Sequence, residues 1–206
     1  SIVFNADHLD QERTQITQYL VNLGYYRFNK DFITYKADSI EGTNRIDLTL
    51  VLHPYQDNQG TVKPHSVYTI GSVNFLSGNP DNPDIPLREK VLRRNTFLEV
   101  GDVYSARELR NTYNHFGRLG IVRYTSINFH EHDDEPVLDC DINLSTNKSS
   151  TISFQPEGTN TAGDFGAAAT VTFQNRNIFH GSENLSIELR GAYEAIKNLE
   201  GYGGNR

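Results

Sequence analysis

Tryptophan is missing from the 206 residues and cysteine occurs once. A single cysteine excludes an internal disulfide framework. No apolar run approaches the ~18 residues of a membrane-crossing helix, so no such helix is expected. Cations are the minority, 19 Lys and Arg against 26 Asp and Glu, for a net charge of −7 and a mean hydropathy of −0.56. Outside Arg93-Arg94 no basic cluster forms, which argues against a nucleic-acid binder. Neither a signal peptide nor a lipidated N-terminal cysteine is present. Ser1-Ile2-Val3-Phe4 enters mid-pattern and the chain stops inside what reads as a sheet. The sequence therefore reads as a piece of a longer protein, about whose leader those absences say nothing.

What is there is aromatic and alternating. Eleven Tyr and eleven Phe suit a β-rich protein. From Phe165, the positions Phe165, Ala167, Ala169, Val171 and Phe173 alternate with Asp164, Gly166, Ala168, Thr170 and Thr172. Leu185, Ile187, Leu189, Gly191 and Tyr193 alternate with Ser186, Glu188, Arg190 and Ala192. A period of two held for about ten residues marks a strand with two unlike faces. His180-Gly181-Ser182-Glu183 reads as the tight turn between them. A weaker run around Ile152 and Phe154 precedes Glu157–Gly163, read as a polar loop. Soluble strands average about five or six residues, whereas a tilted strand crossing a bilayer needs about nine to eleven. The two long runs fit the opening of a membrane barrel. They also fit a long amphipathic meander on a soluble domain, and periodicity alone does not separate the two.

Upstream, Asp7 is expected to cap a helix with Leu9, Ile16, Leu20 and Leu23 on its apolar face, ended by Gly24. Strands are expected near 32–38 and 46–52, then a polar linker at Gln56–Gly60. A second block reads as a strand over Tyr68–Leu76 and a short helix from Pro86 to Arg94. Next comes a helix opened by a Ser105/Glu108 capping box and stopped at Gly120, with Leu109, Tyr113 and Phe116 inward. Strands over 121–130 and 138–144 close it. The blocks repeat. Leu20-x-x-Leu23-Gly24-x-x-Arg27-Phe28 aligns with Phe116-x-x-Leu119-Gly120-x-x-Arg123-Tyr124 at an offset of 96. Ile46-Asp47-Leu48-x-Leu50-x-Leu52 aligns with Leu138-Asp139-Cys140-x-Ile142-x-Leu144 at 92. Two copies of one small unit, the first lacking its opening strand and helix, are expected.

Residue types suited to chemistry do not assemble into a site. His130-Glu131-His132-Asp133-Asp134-Glu135 has metal-ligand side chains but falls where a solvated turn is expected. Cys140 lies on the apolar face with Leu138, Ile142 and Leu144, as a buried structural thiol would. No nucleophile elbow and no phosphate-binding GxGxxG occurs. No enzyme, metal or cofactor is expected.

A strand-helix-helix-strand-strand unit ending its second helix in Leu-Gly, repeated and followed by amphipathic strands, resembles the BamA/TamA family of outer-membrane proteins. The tail from Glu157 to Gly166 and from Gln174 to Glu183 resembles the family's opening barrel hairpins, as in its Bacteroidota branch. The resemblance implies an α+β chain: tandem POTRA-like βααββ domains followed by antiparallel amphipathic strands that open a transmembrane β-barrel. Residues 1–55 would be the C-terminal part of one POTRA domain, 66–145 a complete last one, and 149–206 the first, truncated barrel strands. The implied function is assembly of β-barrel proteins into the bacterial outer membrane, with the POTRA portion in the periplasm. Its partners would be unfolded outer-membrane clients, accessory assembly lipoproteins and outer-membrane lipid, with no nucleic acid. Client-binding edges would be Ile121, Arg123, Tyr124, Thr125, Ile127 and Phe129, and in the first copy Phe32, Ile33 and Tyr35. The barrel seam would run through Thr151, Ile152, Ser153 and Phe154. A secretion transporter carrying POTRA domains and a soluble β-rich binding module are the alternatives. Three strands cannot close a barrel, so their edges are expected to pair with a neighbour.

Overall fold

The computed structural model describes residues 5–57, 59–161 and 164–195. The ends of the first and last expected segments, 1–4 and 196–206, lie outside them.

Helix α1 (Ala6–Asn22) is capped by Asn5, whose side chain accepts from the Asp7 N–H at 2.9 Å. The cap thus lies two residues before the expected Asp7, because the donor is the backbone of Asp7 and not its carboxylate. Gly24, at φ +100°, ends the helix in the left-handed conformation, with the Tyr25 N–H returning to Leu20 O at 3.2 Å. Phe32 closes a 3₁₀ turn (Lys30–Phe32) and is not in the strand that follows, β1 (Ile33–Ser39). β1 pairs antiparallel with β2 (Ile46–Leu52). The polar linker folds into a small hairpin of β3 (Tyr55–Gln56) and β4 (Val62–Lys63), with Asp57 accepting from Gln59 and Thr61 N–H.

The second unit holds the core. β5 (Thr69–Ser77) pairs parallel with β7 (Val137–Thr146), and β6 (Val122–Glu131) pairs antiparallel on its other side. β7 is therefore central, and Leu138, Cys140, Ile142 and Leu144 are wholly buried beneath α2 (Glu89–Arg94) and α3 (Ala106–Gly117). Their counterparts in the first unit, Ile46, Leu48, Leu50 and Leu52, are 42–55 % exposed. β2 pairs only with β1 among the described residues, so no parallel strand flanks it.

Three helix ends in the second unit also depart from expectation. α2 starts at Glu89, not at Pro86, which lies in the lead-in to the Arg88 cap. Ser105 caps α3 by position only, since its buried hydroxyl has no partner. The Arg107 N–H is instead satisfied by Asn22 Oδ1 at 2.8 Å, from the end of α1. α3 stops at Gly117, and Gly120 lacks the positive φ of Gly24.

The tail is a three-stranded antiparallel sheet of β8 (Ser150–Thr161), β9 (Asp164–Asn175) and β10 (Leu185–Ala195), with β9 central. The expected loop at Glu157–Gly163 is mostly strand: β8 pairs with β9 through Thr161. Pro156 is tolerated because β8 is an edge strand. The expected pairing with a neighbour is not made within one chain, and the outer edges of β8 and β10 are open among the described residues.

Candidate functional site

Three features could engage something else: the edges of the two α/β units and the face of the tail sheet. The β6 edge can be read bond by bond. His132 N–H donates to Val137 O at 3.1 Å, and the register runs unbroken from Glu131↔Leu138 to Tyr124↔Ser145. Even-numbered residues of β6 therefore bond to β7, while Thr125, Ile127 and Phe129 turn N–H and C=O outward. That edge is not bare. The Ile127 N–H donates to the Tyr113 hydroxyl of α3 at 3.0 Å. Of the other residues expected there, Ile121 is buried just before the strand, Arg123 and Tyr124 are exposed, and the Ile127 side chain faces the core.

Edge strand β1 is less regular. Ile33 is buried, and the Tyr35 hydroxyl donates to Glu12 at 2.7 Å, with its pKa pushed up to about 12 by loss of water and by that carboxylate. Phe32 packs with Phe28 and His65 and offers no strand edge.

The tail register sorts its side chains completely. Rows Ile152–Phe173–Ile187, Phe154–Val171–Leu189 and Pro156–Ala169–Gly191 share one face with Ala167 and Tyr193. On the other face lie Thr151, Ser153 and Gln155, Thr170, Thr172 and Gln174, and Ser186, Glu188 and Arg190. The apolar face is uncovered: Ile152 is 75 % exposed, Leu189 69 % and Tyr193 73 %. On the polar face Arg190 reaches Glu157 at 2.8 Å. The expected seam residues divide between the faces, Ile152 and Phe154 apolar, Thr151 and Ser153 polar.

Two junctions were not foreseen. Tyr26, from the first unit, packs edge-on against Tyr68, Tyr104 and Phe129 of the second, at 5.1–5.6 Å between ring centres. Burial pushes the Tyr104 phenol up to about 12; burial and then the Glu131 carboxylate do the same at Tyr68. Beside this cluster Arg27 bridges Glu131 at 2.6 Å and the Tyr55 hydroxyl at 2.6 Å. The aromatic density of Tyr25-Tyr26-Arg27-Phe28 was the available signal, but not its destination.

At the other end the turn between β9 and β10 is seated on the second unit. The side chain of Asn177, 5 % exposed, donates to Pro86 O and accepts from Ser182 N–H at 2.9 Å. The Arg88 N–H donates to His180 O at 2.9 Å, the Ile121 N–H donates to Ser182 Oγ at 3.3 Å, and Arg88 pairs with Glu183 at 3.3 Å. His180 and Ser182 sit at φ 58° and 64°, a conformation that non-glycine residues hold only when surroundings impose it. The two histidines of the 130–135 run, read from the sequence as part of a solvated turn, are bonded to carboxylates of β7: His130 to Asp141 at 3.1 Å and His132 to Asp139 at 2.7 Å.

No known family's sequence profile matches the chain, and no curated protein sequence does. Solved structures do. BamA from Haemophilus ducreyi lacking POTRA domains 1–3 matches with a TM-score of 0.59 at 16 % identity, over 93 % of this chain and 32 % of that one. POTRA domains 3–5 of Haemophilus influenzae BamA match at 0.46 and 13 %, over 69 % of this chain and 49 % of that one. CdiB from Acinetobacter baumannii matches at 0.47 and 11 %, over 92 % and 31 %. The last two scores are too low to weigh. The chain spans about a third of the length of the first structure, with which it shares its fold. It is an α+β chain with the POTRA-like and barrel-opening architecture of BamA.

Proposed function

We propose that the chain belongs to an outer-membrane protein of BamA type, in which the tail sheet enters the bilayer and the α/β units, in the periplasm, recruit extended clients by strand addition. The observation that carries this is the tail's uncovered face, apolar in every row described above and polar on its reverse. In water such a face would demand a cover; in lipid it is the ordinary exterior of a barrel wall. The lengths agree. β10 has 11 residues, so at a rise of about 3.3 Å and a tilt of about 40° it spans roughly 28 Å, close to the ~25 Å apolar band of such barrels. Recruitment rests on the outward N–H and C=O groups of Thr125, Ile127 and Phe129, which bind any extended backbone regardless of side chain. No step in it requires covalent chemistry. Unfolded outer-membrane proteins are the clients this reading implies, with lipid around the sheet.

The test compares Leu189→Arg with Thr172→Arg in the full-length protein in its native membrane. A cation on the lipid face near the bilayer centre costs about 2–4 kcal/mol, whereas on the lumen face it costs little. Only Leu189→Arg should therefore lose the mobility difference between boiled and unboiled samples. A soluble parent protein showing no such difference would sink the barrel reading.

A further inference from the structure

The open β6 edge has a stopper. Its outward backbone groups recur at every second residue, about 7 Å apart, at Thr125, Ile127 and Phe129. The middle donor is occupied: the Ile127 N–H is bonded to the Tyr113 hydroxyl at 3.0 Å. Tyr113 lies on α3, which packs beside β6, and the residue is 37 % exposed. The phenol therefore reaches the sheet edge from the helix side while keeping open space around it. A strand laid antiparallel or parallel along this edge needs the same N–H, since a gap at Ile127 would leave a client carbonyl unpaired between two paired neighbours.

We infer that Tyr113 is the gate residue of this edge: an incoming extended chain must displace its hydroxyl from the Ile127 N–H before strand addition can run past the middle. The inference rests on the recruitment reading above and adds a specificity device to it. Unpaired edges invite indiscriminate pairing, and proteins blunt them with charges, prolines or bulges. A hydroxyl on a rotatable side chain blunts the edge reversibly. It satisfies the donor while the edge is idle, and it can turn to water when a longer match takes over. Short or poorly matched segments, gaining one or two backbone bonds, would not offset its loss; a segment pairing with Thr125, Ile127 and Phe129 together would. The gate thus selects for extended length and not for sequence.

The experiment uses the full-length protein in detergent micelles, wild type and Tyr113→Phe. The probe is a fluorescent ten-residue peptide of alternating valine and threonine. The control is the same peptide N-methylated at every residue, which presents no N–H on either edge and cannot extend a ladder. Removing one neutral hydrogen bond that competes with binding should tighten the peptide dissociation constant about two- to tenfold. The N-methylated peptide should bind neither protein. Amide exchange at Ile127 in the peptide-free protein should quicken in Tyr113→Phe while that of β7 stays slow, which separates loss of the bond from loss of the fold. Equal or weaker peptide binding by Tyr113→Phe overturns the gate and leaves recruitment standing. Binding of the peptide by neither protein, or equal binding of its N-methylated form, overturns recruitment at this edge and the gate with it.

Discussion

Gly24 and Gly120 occupy equivalent positions in the repeat, yet alanine should destabilise the protein only at the first. At Gly24 φ is +100°, and an added Cβ would lie 2.5 Å from Val103 Cγ1 and 2.7 Å from Val67 Cγ1. Both valines are partly exposed, at 49 % and 38 %, so their methyl groups can turn aside. The overpacking cost then falls at the low end, about 1 kcal/mol. The backbone term cannot relax, because the Tyr25 return bond to Leu20 and the Tyr68 N–H to Gly24 O bond at 2.8 Å both depend on the left-handed turn. An L-residue there costs a further ~1–2 kcal/mol. The sum is about 2–3 kcal/mol, or a fall of roughly 5–10 °C in Tm for a chain of this size. At Gly120 nothing lies within 4 Å and φ is not positive. There alanine should be neutral or stabilising by up to ~1 kcal/mol, by narrowing the unfolded ensemble. Circular dichroism melts of both variants and the wild type in one detergent would decide it. Equal midpoints for Gly24→Ala and Gly120→Ala would refute the claim that the first corner alone is strained into its function.

Other perturbations probe other parts. Asn177→Ala should leave the Pro86 carbonyl and the Ser182 N–H without their partner in a buried place, a loss of about 1–3 kcal/mol, seen as faster amide exchange at Ser182 and Arg88; unchanged exchange there would mean the turn is not held by Asn177. Asp139 is held below the usual carboxylate range first by the Ser72 hydroxyl and next by His132. A depressed folded pKa stabilises above the ordinary value near 4 and loses that contribution as pH falls through the lowered one. Asp139→Asn should therefore flatten the acid limb of stability measured by urea titration below about pH 4; an unaltered limb would remove Asp139 from the account.

Much of this architecture was legible because it is written in local periods. β9 and β10 carry alternation that no other element could use, and the internal repeat aligns the residues of β2 with those of β7. The failures share a cause: the partner came from elsewhere in the chain. The Ser105/Glu108 pattern has the spacing of a capping box, yet Asn22 from another helix reached the Arg107 N–H first. Glu157–Thr161 has loop composition, but pairing with β9 outweighs it. Tyr113 reads as an inward helix residue, and only the position of β6 shows that its hydroxyl ends at a sheet edge. Alternation assigned Ile127 to a strand, but which way its N–H points depends on the His132–Val137 bond across a turn.

The seat of the β9–β10 turn has a consequence for anyone recombining such proteins. The join between β7 and β8 is three residues long, 147–149, and looks like a place to cut. It is tied at both ends, by Asn147 N–H to Ile121 O and by Arg176 N–H to Ser149 O, each at 2.8 Å. The sheet also holds the unit through residues 177–183, some thirty positions downstream. A chimaera spliced at 147–149 would keep the covalent connection and break the joint. The transferable module is the tail together with Pro86, Arg88 and the Ile121 corner, a boundary that is discontinuous in sequence.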